Sequence, residues 1–141
     1  MSKIAIVRVR GKINIRKEIK DTLNMLRLYN KNFCTVVEDA PVLVGMIKKV
    51  KDFVTFGEIN DETFSQLVET RGEQYKGREK DSKGKIEYSR RYFVYNDKKL
   101  KKYFRLNPPK KGYGSIKKPF LKGGGLGNRK EKINDLIKRM I

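Results

Sequence analysis

The stretch "KIAIVRVRG" (Lys3–Gly11) decides the fold, because it defines the first strand of a core sheet. Its side chains alternate between two faces, one formed by Ala5, Val7 and Val9 and the other by Ile4, Ile6, Arg8 and Arg10. Alternation with period two is typical of a β-strand, and Gly11 ends it. The chain is therefore expected to open with a strand, and the following segments are expected to pack around it.

Five further segments continue this organisation as far as residue 71. Two are predicted strands rich in β-branched and aromatic residues, "NFCTVVED" (32–39) and "DFVTFGEI" (52–59). Three are predicted amphipathic helices, with apolar stripes at Ile15, Ile19, Leu23 and Leu26, at Leu43, Met46, Ile47 and Val50, and at Phe64, Leu67 and Val68. The order β-α-β-α-β-α predicts a compact two-layer α+β core with helices on one face of a sheet.

Beyond Arg71 the periodicity is lost. Residues 72–91 are nearly without apolar pattern and predict a solvated connection or an insertion, and residues 92–106 predict a short helix or strand docked on the core. Residues 107–129 contain three prolines and six glycines and predict an irregular segment. Apolar residues then recur at Ile133, Leu136, Ile137 and Met140, which predicts a C-terminal helix. We expect a compact domain at 1–74 and a basic extension at 75–141.

Positive charge is the strongest functional signal. The net charge is +19, whereas a small domain needs a magnitude of only about 2–8 for solubility. Residues 1–74 contain 13 basic and 10 acidic residues, and residues 75–141 contain 22 and 6. Between Lys98 and Lys130 there are 12 basic residues and no acid. Such an excess predicts a polyanionic partner.

Residue types exclude several classes of enzyme. The chain has no histidine and one cysteine, which rules out Ser-His-Asp and Cys-His catalysis, a Cys/His zinc site and an internal disulfide. Cys34 lies in a predicted strand and is expected to be a buried small hydrophobe. We expect no catalytic residue, metal or cofactor. No apolar run approaches the ~18 residues of a membrane span, so a soluble, intracellular protein is expected. Basic peripheral membrane binding stays open as an alternative, but the C-terminal half lacks the long amphipathic helix that normally supports it, so no membrane partner is expected.

The glycine-rich stretch "GGGLG" (123–127) raises the alternative of a nucleotide-binding enzyme. It lacks the spacing of a P-loop, and its G-x-G-x-G pattern differs from the dinucleotide fingerprint. We therefore expect no small-molecule substrate. A basic ribbon whose glycines let the backbone approach RNA closely fits better.

Aromatic residues interleave with the basic ones. Tyr103, Phe104, Tyr113 and Phe120 either stack on unpaired bases or anchor the tail on its own core, and the sequence leaves both roles open. No basic segment has the helical period of a major-groove reader, which favours shape-fitted RNA over duplex DNA. A free-standing DNA-compacting protein stays the alternative in the nucleic-acid class.

Several motifs resemble one known family, the large-ribosomal-subunit protein called L-thirty in bacteria and L-seven in eukaryotes. They are "VRVRG" (7–11), "DTLNMLRLYNKNFCTVVED" (21–39), "GMIKKVKDFVTFGEI" (45–59) and "ETRGE" (69–73), and residues 104–129 resemble the extension of the archaeal long form. The resemblance implies a β-α-β-α-β core with a three-stranded antiparallel sheet and the first strand central. It also implies a non-catalytic structural role in translation, as a single copy per ribosome. The implied partners are large-subunit rRNA near the 5S rRNA and neighbouring ribosomal proteins.

The predicted RNA contacts fall into three groups. The first is Arg8, Arg10 and Lys12 at the end of the first strand. The second is Arg27 at the end of the first helix, where a cation also favours the helix C-terminus. The third is the extension, with Lys98, Lys99, Lys101, Lys102, Arg105, Lys110, Lys111, Tyr113, Lys117, Lys118, Lys122, Gly123, Gly124, Gly125, Gly127, Arg129 and Lys130.

Overall fold

The computed structural model describes residues 3–11, 15–76, 82–83 and 92–141. Helices α1–α4 span Lys17–Met25, Pro41–Lys49, Asp61–Arg71 and Ile133–Met140. Strands β1–β8 span Lys3–Arg8, Phe33–Glu38, Val54–Ile59, Tyr92–Tyr95, Lys98–Lys101, Phe104–Arg105, Ser115–Pro119 and Gly124–Asn128. Two 3₁₀ turns, Phe120–Lys122 and Lys130–Lys132, flank β8. The predicted α+β class and its β-α-β-α-β start are confirmed.

Strand β1 is the centre of the main sheet. It pairs antiparallel with β2 on one side and with β3 on the other, so that Ile6 lies opposite both Thr35 and Phe56. Its apolar side chains are buried on both faces of the sheet, with Ala5, Ile6 and Val7 fully inaccessible. A strand paired on both edges and covered on both faces needs this nearly continuous apolar run.

The main sheet is larger than predicted. It has six strands in the order β6-β2-β1-β3-β8-β7, and β8 runs parallel to both β3 and β7. The expectation of a three-stranded antiparallel sheet was therefore wrong in extent, and the expectation of an irregular tail was wrong for β7 and β8. Glycine has no side chain to alternate, so β8 ("GGLGN") carries no period. Pairing with the edge of β3 stabilises it instead.

Helices cover both faces of this sheet. Helices α1 and α2 pack against the face of Ile4 and Ile6, as predicted for the first five elements. Helices α3 and α4 pack against the opposite face, which includes Ala5 and Val7. The molecule therefore has three layers rather than the two predicted. The boundary between a domain at 1–74 and an extension at 75–141 stays a prediction. Expressing residues 1–74 alone would test whether they fold without the extension.

Two predictions about buried side chains are confirmed. The apolar stripe of α4 is fully buried in the core cluster on the sheet face of Ala5 and Val7, where it covers β3. A side chain on β3 at Gly57 would collide with this arrangement, because a Cβ there would lie 2.2 Å from the Lys130 carbonyl oxygen. Cys34 is fully buried, and burial raises the pKa of its thiol to about 12.

Residues 92–101 form a separate antiparallel hairpin, β4–β5. Its turn residues Asn96 and Asp97 both have positive φ, at 48° and 63°. This conformation matches the type I′ turns that suit the twist of a two-residue hairpin. The segment after α3 fixes the hairpin to the body, since the Lys101 N–H donates to the Glu73 carbonyl and the Tyr75 N–H donates to the Lys99 carbonyl.

Candidate nucleic-acid interface

The basic run Lys98–Lys130 is divided between two opposite edges of the main sheet. Strand β6 ends the sheet on one side and β7 ends it on the other. The hairpin cations, which lie near the β6 edge, are Lys98, Lys99, Lys101, Lys102 and Arg105. The tail cations, on and around β7 and β8, are Lys110, Lys111, Lys117, Lys118, Lys122 and Lys130. The predicted single ribbon is therefore two separate basic surfaces.

All six tail cations are exposed to solvent. Lys117 and Lys118 lie on β7, which is an edge strand, and Lys122 lies on the 3₁₀ turn that connects β7 to β8. The turn that contains Lys110 is tied to α4, because the Arg139 guanidinium donates to the Lys110 and Gly112 carbonyls at 3.0 and 3.1 Å. The tail thus presents its charges from backbone that is hydrogen-bonded to the body.

Arg129 differs from the tail cations because it is buried, with 5% of its surface exposed. Its guanidinium donates to the Thr55 hydroxyl at 2.8 Å and to the carbonyls of Tyr113 and Gly125 at 3.1 and 3.2 Å. Burial lowers its pKa, and the neighbouring Arg139 acts in the same direction. These contacts join β3, β8 and the Tyr113 segment, so they stabilise the docked tail. Contact of Arg129 with RNA stays a prediction.

Two of the interleaved aromatics anchor the tail on the core. Phe104 is 1% exposed and belongs to the core cluster under α4. Tyr113 packs against the same cluster and donates from its hydroxyl to the Asn32 side-chain oxygen. Burial raises the pKa of Tyr113. Phe120 is half-buried beneath two cations, with the Arg129 guanidinium carbon 4.8 Å and the Lys132 Nζ 5.5 Å from its ring centroid.

The glycines of the tail fall into two pairs. A Cβ at Gly124 would lie 1.9 Å from the Lys118 carbonyl oxygen, and a Cβ at Gly125 would lie 2.5 Å from the Tyr113 carbonyl oxygen. These two glycines therefore allow the protein backbone to approach itself. Gly123 and Gly127 have φ of +84° and +81° with open space around them. Close approach of RNA at these glycines stays a prediction.

The predicted contacts near β1 lie in different environments. Arg8 is 2% exposed, and its guanidinium donates to the carbonyls of Leu28, Arg10 and Gly11 at 2.7, 2.9 and 3.3 Å. Burial lowers the pKa of Arg8. Arg10 is half-buried, with its guanidinium carbon 5.6 Å from the Phe53 ring centroid. Lys12 lies outside the described residues. The geometry of Arg8 favours a structural role, and its contact with RNA stays a prediction.

The structure brings Arg27 together with the hairpin cations Lys101 and Lys102. They line a pocket of about 430 Å³. Sequence reasoning missed this grouping and three of its other members, Tyr29, Tyr75 and Lys76, whereas it had already named Tyr103 as a residue that stacks on a base or anchors the tail. They come from separate segments, so no local pattern links them. The pocket is defined by folding alone.

One carboxylate partly neutralises the hairpin cations. Glu73 accepts from the Arg105 guanidinium, with the Nε–Oε1 distance at 2.7 Å, and its other oxygen lies 3.5 Å from the Lys101 Nζ. The hydrogen bond from Arg105 to Glu73 raises the pKa of Arg105. Arg105 and Lys101 are thus held by a carboxylate of the same chain.

The described residues contain neither a metal-ligand cluster nor a candidate membrane span. Within them, no group of three or more His, Cys, Asp or Glu side chains is arranged to hold a metal ion. Over the same residues, no helix has the length and apolar character needed to cross a membrane. Exposed positive charge is the main chemical feature of this surface.

Comparison with known proteins identifies the family. The family model described as Ribosomal protein L30p/L7e matches residues 4–54, which include most of β1 and all of α1, β2 and α2. The large ribosomal subunit protein uL30 of Methanopyrus kandleri is 39% identical over 149 residues, covering 94% of this chain and 100% of its own length. This chain belongs to the ribosomal protein L30p/L7e family. Two further uL30 relatives, from Nanoarchaeum equitans and Methanoculleus marisnigri, are 40% and 42% identical and cover 100% and 96% of this chain.

This match confirms two predictions that were made from the sequence. The L30p/L7e family is non-enzymatic, which confirms the prediction that this chain is no enzyme. The predicted resemblance to the archaeal long form is also confirmed, because the uL30 relatives are archaeal and match this chain over nearly its whole length. The match therefore includes the docked tail as well as the core.

Proposed function

We propose that this chain is a structural component of the large ribosomal subunit, where it binds and stabilises folded rRNA without catalysis and so supports translation. It acts in the cytoplasm as a single copy per ribosome, next to the 5S rRNA and neighbouring ribosomal proteins. The uL30 relatives, which carry the words "large ribosomal subunit protein" in their names, support this assignment. Phosphate neutralisation and fit to the folded RNA supply the affinity.

The six exposed tail cations are the observation that best supports this proposal. Two of them, Lys117 and Lys118, lie on the edge strand β7, and no acidic residue occurs between Lys98 and Lys130. Their backbone is held by β-pairing, by Arg129 and by α4. A docked scaffold reduces the conformational entropy lost when lysines meet phosphates. Release of counterions from the RNA then drives binding, and its strength depends on salt.

RNA is favoured over duplex DNA by the shape of this surface. A major-groove reader normally presents a recognition helix with basic residues. The tail cations lie instead on a short edge strand, two 3₁₀ turns and loops. Folded RNA is bound mostly through its shape, its phosphates and its unpaired bases, which suits such a surface.

The salt dependence of rRNA binding tests this proposal. Replacing Lys117, Lys118 and Lys122 with glutamine removes three exposed charges of the tail. If each lysine neutralises one phosphate, the slope of log K against log salt decreases in magnitude by about 2 to 3 units. The matched control replaces Lys48, Lys49 and Lys51, which are exposed at the end of α2 and beyond it.

The control is expected to leave the slope near that of the parent protein. Equal slopes for the parent and the tail variant would exclude the tail as the RNA-binding surface. Binding of duplex DNA as tight as that of rRNA at the same salt would instead favour the DNA-compacting alternative.

A further inference from the structure

We infer that the pocket beside α1 and the hairpin binds one unpaired nucleotide of RNA, with its base stacked on tyrosine and its phosphate held by cations. Three tyrosines, Tyr29, Tyr75 and Tyr103, contribute the aromatic surface. Four cations, Arg27, Lys76, Lys101 and Lys102, contribute the charge. This inference rests on the proposed function, since it names the part of the RNA that one site takes.

The size and lining of the pocket fit such a ligand. Its volume of about 430 Å³ falls within the range of about 300–1,000 Å³ typical of ligand sites. Among the described residues that line it, every charged side chain is basic. Basic side chains interleaved with aromatic rings are the combination that proteins use for single-stranded nucleic acid.

The aromatic rings are held in a defined arrangement. Tyr103 stacks on Phe33, with the ring centroids 5.3 Å apart and the planes within 5°. Tyr29 meets both rings edge to face, at 5.7 Å from Tyr103 and 6.5 Å from Phe33. Phe33 supports Tyr103 from outside the pocket, whereas Tyr29 and Tyr103 line it and Tyr29 is 40% exposed. Rings held in this way lose little conformational entropy when a base stacks on them.

The charges are placed around these rings. The Lys101 Nζ lies 5.7 Å from the Tyr103 ring centroid and 3.5 Å from the Glu73 carboxylate, which also binds Arg105. Two cations share this carboxylate, and every charged side chain that lines the pocket among the described residues is basic. A phosphate next to a stacked base would therefore meet a favourable field.

The backbone at Arg27 gives an independent indication. The Leu28 N–H donates to the Leu23 carbonyl at 2.9 Å and the Arg27 N–H donates to the Asn24 carbonyl at 3.1 Å, which together form a Schellman motif that ends α1. Arg27 occupies its left-handed position with φ of 63°, where glycine is preferred. The turn thus holds Arg27 in a conformation that favours glycine, and the Arg27 side chain lines the pocket.

Trinucleotides separate base stacking from charge. The probes are the RNA trimer ApApA and an abasic ribose-phosphate trimer of the same length and charge, titrated into the full chain at low salt. We expect the abasic trimer to bind about 5- to 150-fold more weakly, the range of one stacked base. Tyr29→Leu and Tyr103→Leu should bring this ratio close to one, while Tyr103→Phe should keep it.

A control variant locates the effect. Phe120→Leu removes the half-buried ring of the tail, which also lies beneath cations, and should leave the ratio unchanged. Thermal unfolding identifies leucine variants that fail to fold, and Tyr103→Phe and Tyr29→Phe then provide the reference for folded protein. A ratio abolished by Phe120→Leu but unaffected by both leucine variants of the pocket would overturn the inference.

Equal binding of the two trimers by the parent protein would also overturn it, because the pocket would then recognise negative charge without a base. The outcome is separable from the proposed function. Equal trimer binding together with a normal salt slope for rRNA rejects the nucleotide pocket only. Loss of rRNA binding rejects the proposed function itself.

Discussion

The Arg129 Nε donates a hydrogen bond of 2.8 Å to the Thr55 hydroxyl oxygen, which joins the tail to the third strand. The same hydroxyl donates to the Gly127 carbonyl at 3.0 Å, so it acts both as an acceptor and as a donor. Thr55 is fully buried and Arg129 nearly so. A buried polar group that loses its hydrogen-bond partner destabilises the fold. The Arg129–Thr55 contact is therefore expected to keep the tail docked on β3.

Arg129→Met should lower the free energy of unfolding by about 2–4 kcal/mol, since three hydrogen bonds to a charged group are lost and Thr55 and two carbonyls lose a donor. Lys130→Met, at the exposed neighbour, should change it by less than about 0.5 kcal/mol. Urea denaturation of both variants measures the difference. Equal midpoints for the two would contradict the anchoring role of Arg129.

Gly125→Ala should release the tail from the sheet. Its Cβ would lie 2.5 Å from the Tyr113 carbonyl oxygen, so the two backbone segments must move apart. Amide hydrogen exchange should show lost protection across β7 and β8, with β1 unaffected. Gly45→Ala is the control, because it has open space within α2 and should stabilise the protein by up to about 1 kcal/mol. Unchanged exchange in the Gly125→Ala variant would exclude the close approach.

Stability should fall at alkaline pH in a way that depends on Cys34. Burial raises the pKa of its thiol to about 12, from 9.0 when it is exposed. Below pH 9 the thiol is neutral in both states, and above it the unfolded chain ionises first. The stabilisation is therefore lost between about pH 9 and 12, with a loss of about 1.4 kcal/mol by pH 10.

The measurement compares the parent protein with Cys34→Ala between pH 7 and 10. The variant is less stable at every pH because of the cavity, but its stability should fall less steeply above pH 9. Parallel curves for the two proteins would refute the contribution of the thiol.

Replacing Arg27 should separate stability from binding. Arg27→Gly relieves the left-handed strain and should raise the free energy of unfolding by about 0.5–1 kcal/mol. Arg27→Ala keeps the strain and should be the less stable of the two. Both variants should bind the ApApA trimer more weakly than the parent protein. If the Arg27→Gly variant binds the trimer as tightly as the parent, Arg27 has no role in the pocket.

Elements with a side-chain period could be predicted from the sequence, both in the first half of the chain and at its C-terminal helix. Strand β1 alternates, and the apolar stripe of α4 recurs with the helical period, so both appear in a single sequence. Strand β8 could not be found in this way, since glycines give no alternation and its partner β3 lies some 70 positions earlier. The two-residue turn Asn96–Asp97 was a local signal for the β4–β5 hairpin that the prediction did not use.

The candidate site was predictable only in its composition. Charge alone predicted a polyanionic partner, but Arg8 and Arg129 are chemically identical to exposed arginines and are buried by long-range contacts. The pairing of Tyr29 with Tyr103 likewise depends on the tertiary fold. A single sequence carries no local signal for such contacts.

As a structural component of the large ribosomal subunit, this chain is expected to stay bound to that subunit at high salt. Sedimentation of the endogenous protein through a sucrose gradient in high salt tests it most directly. The protein should travel with the large subunit. The variant in which glutamine replaces Lys117, Lys118 and Lys122 should dissociate from the subunit at lower salt than the parent protein. An endogenous protein that stays at the top of the gradient, or that travels with the nucleoid, would contradict the claim.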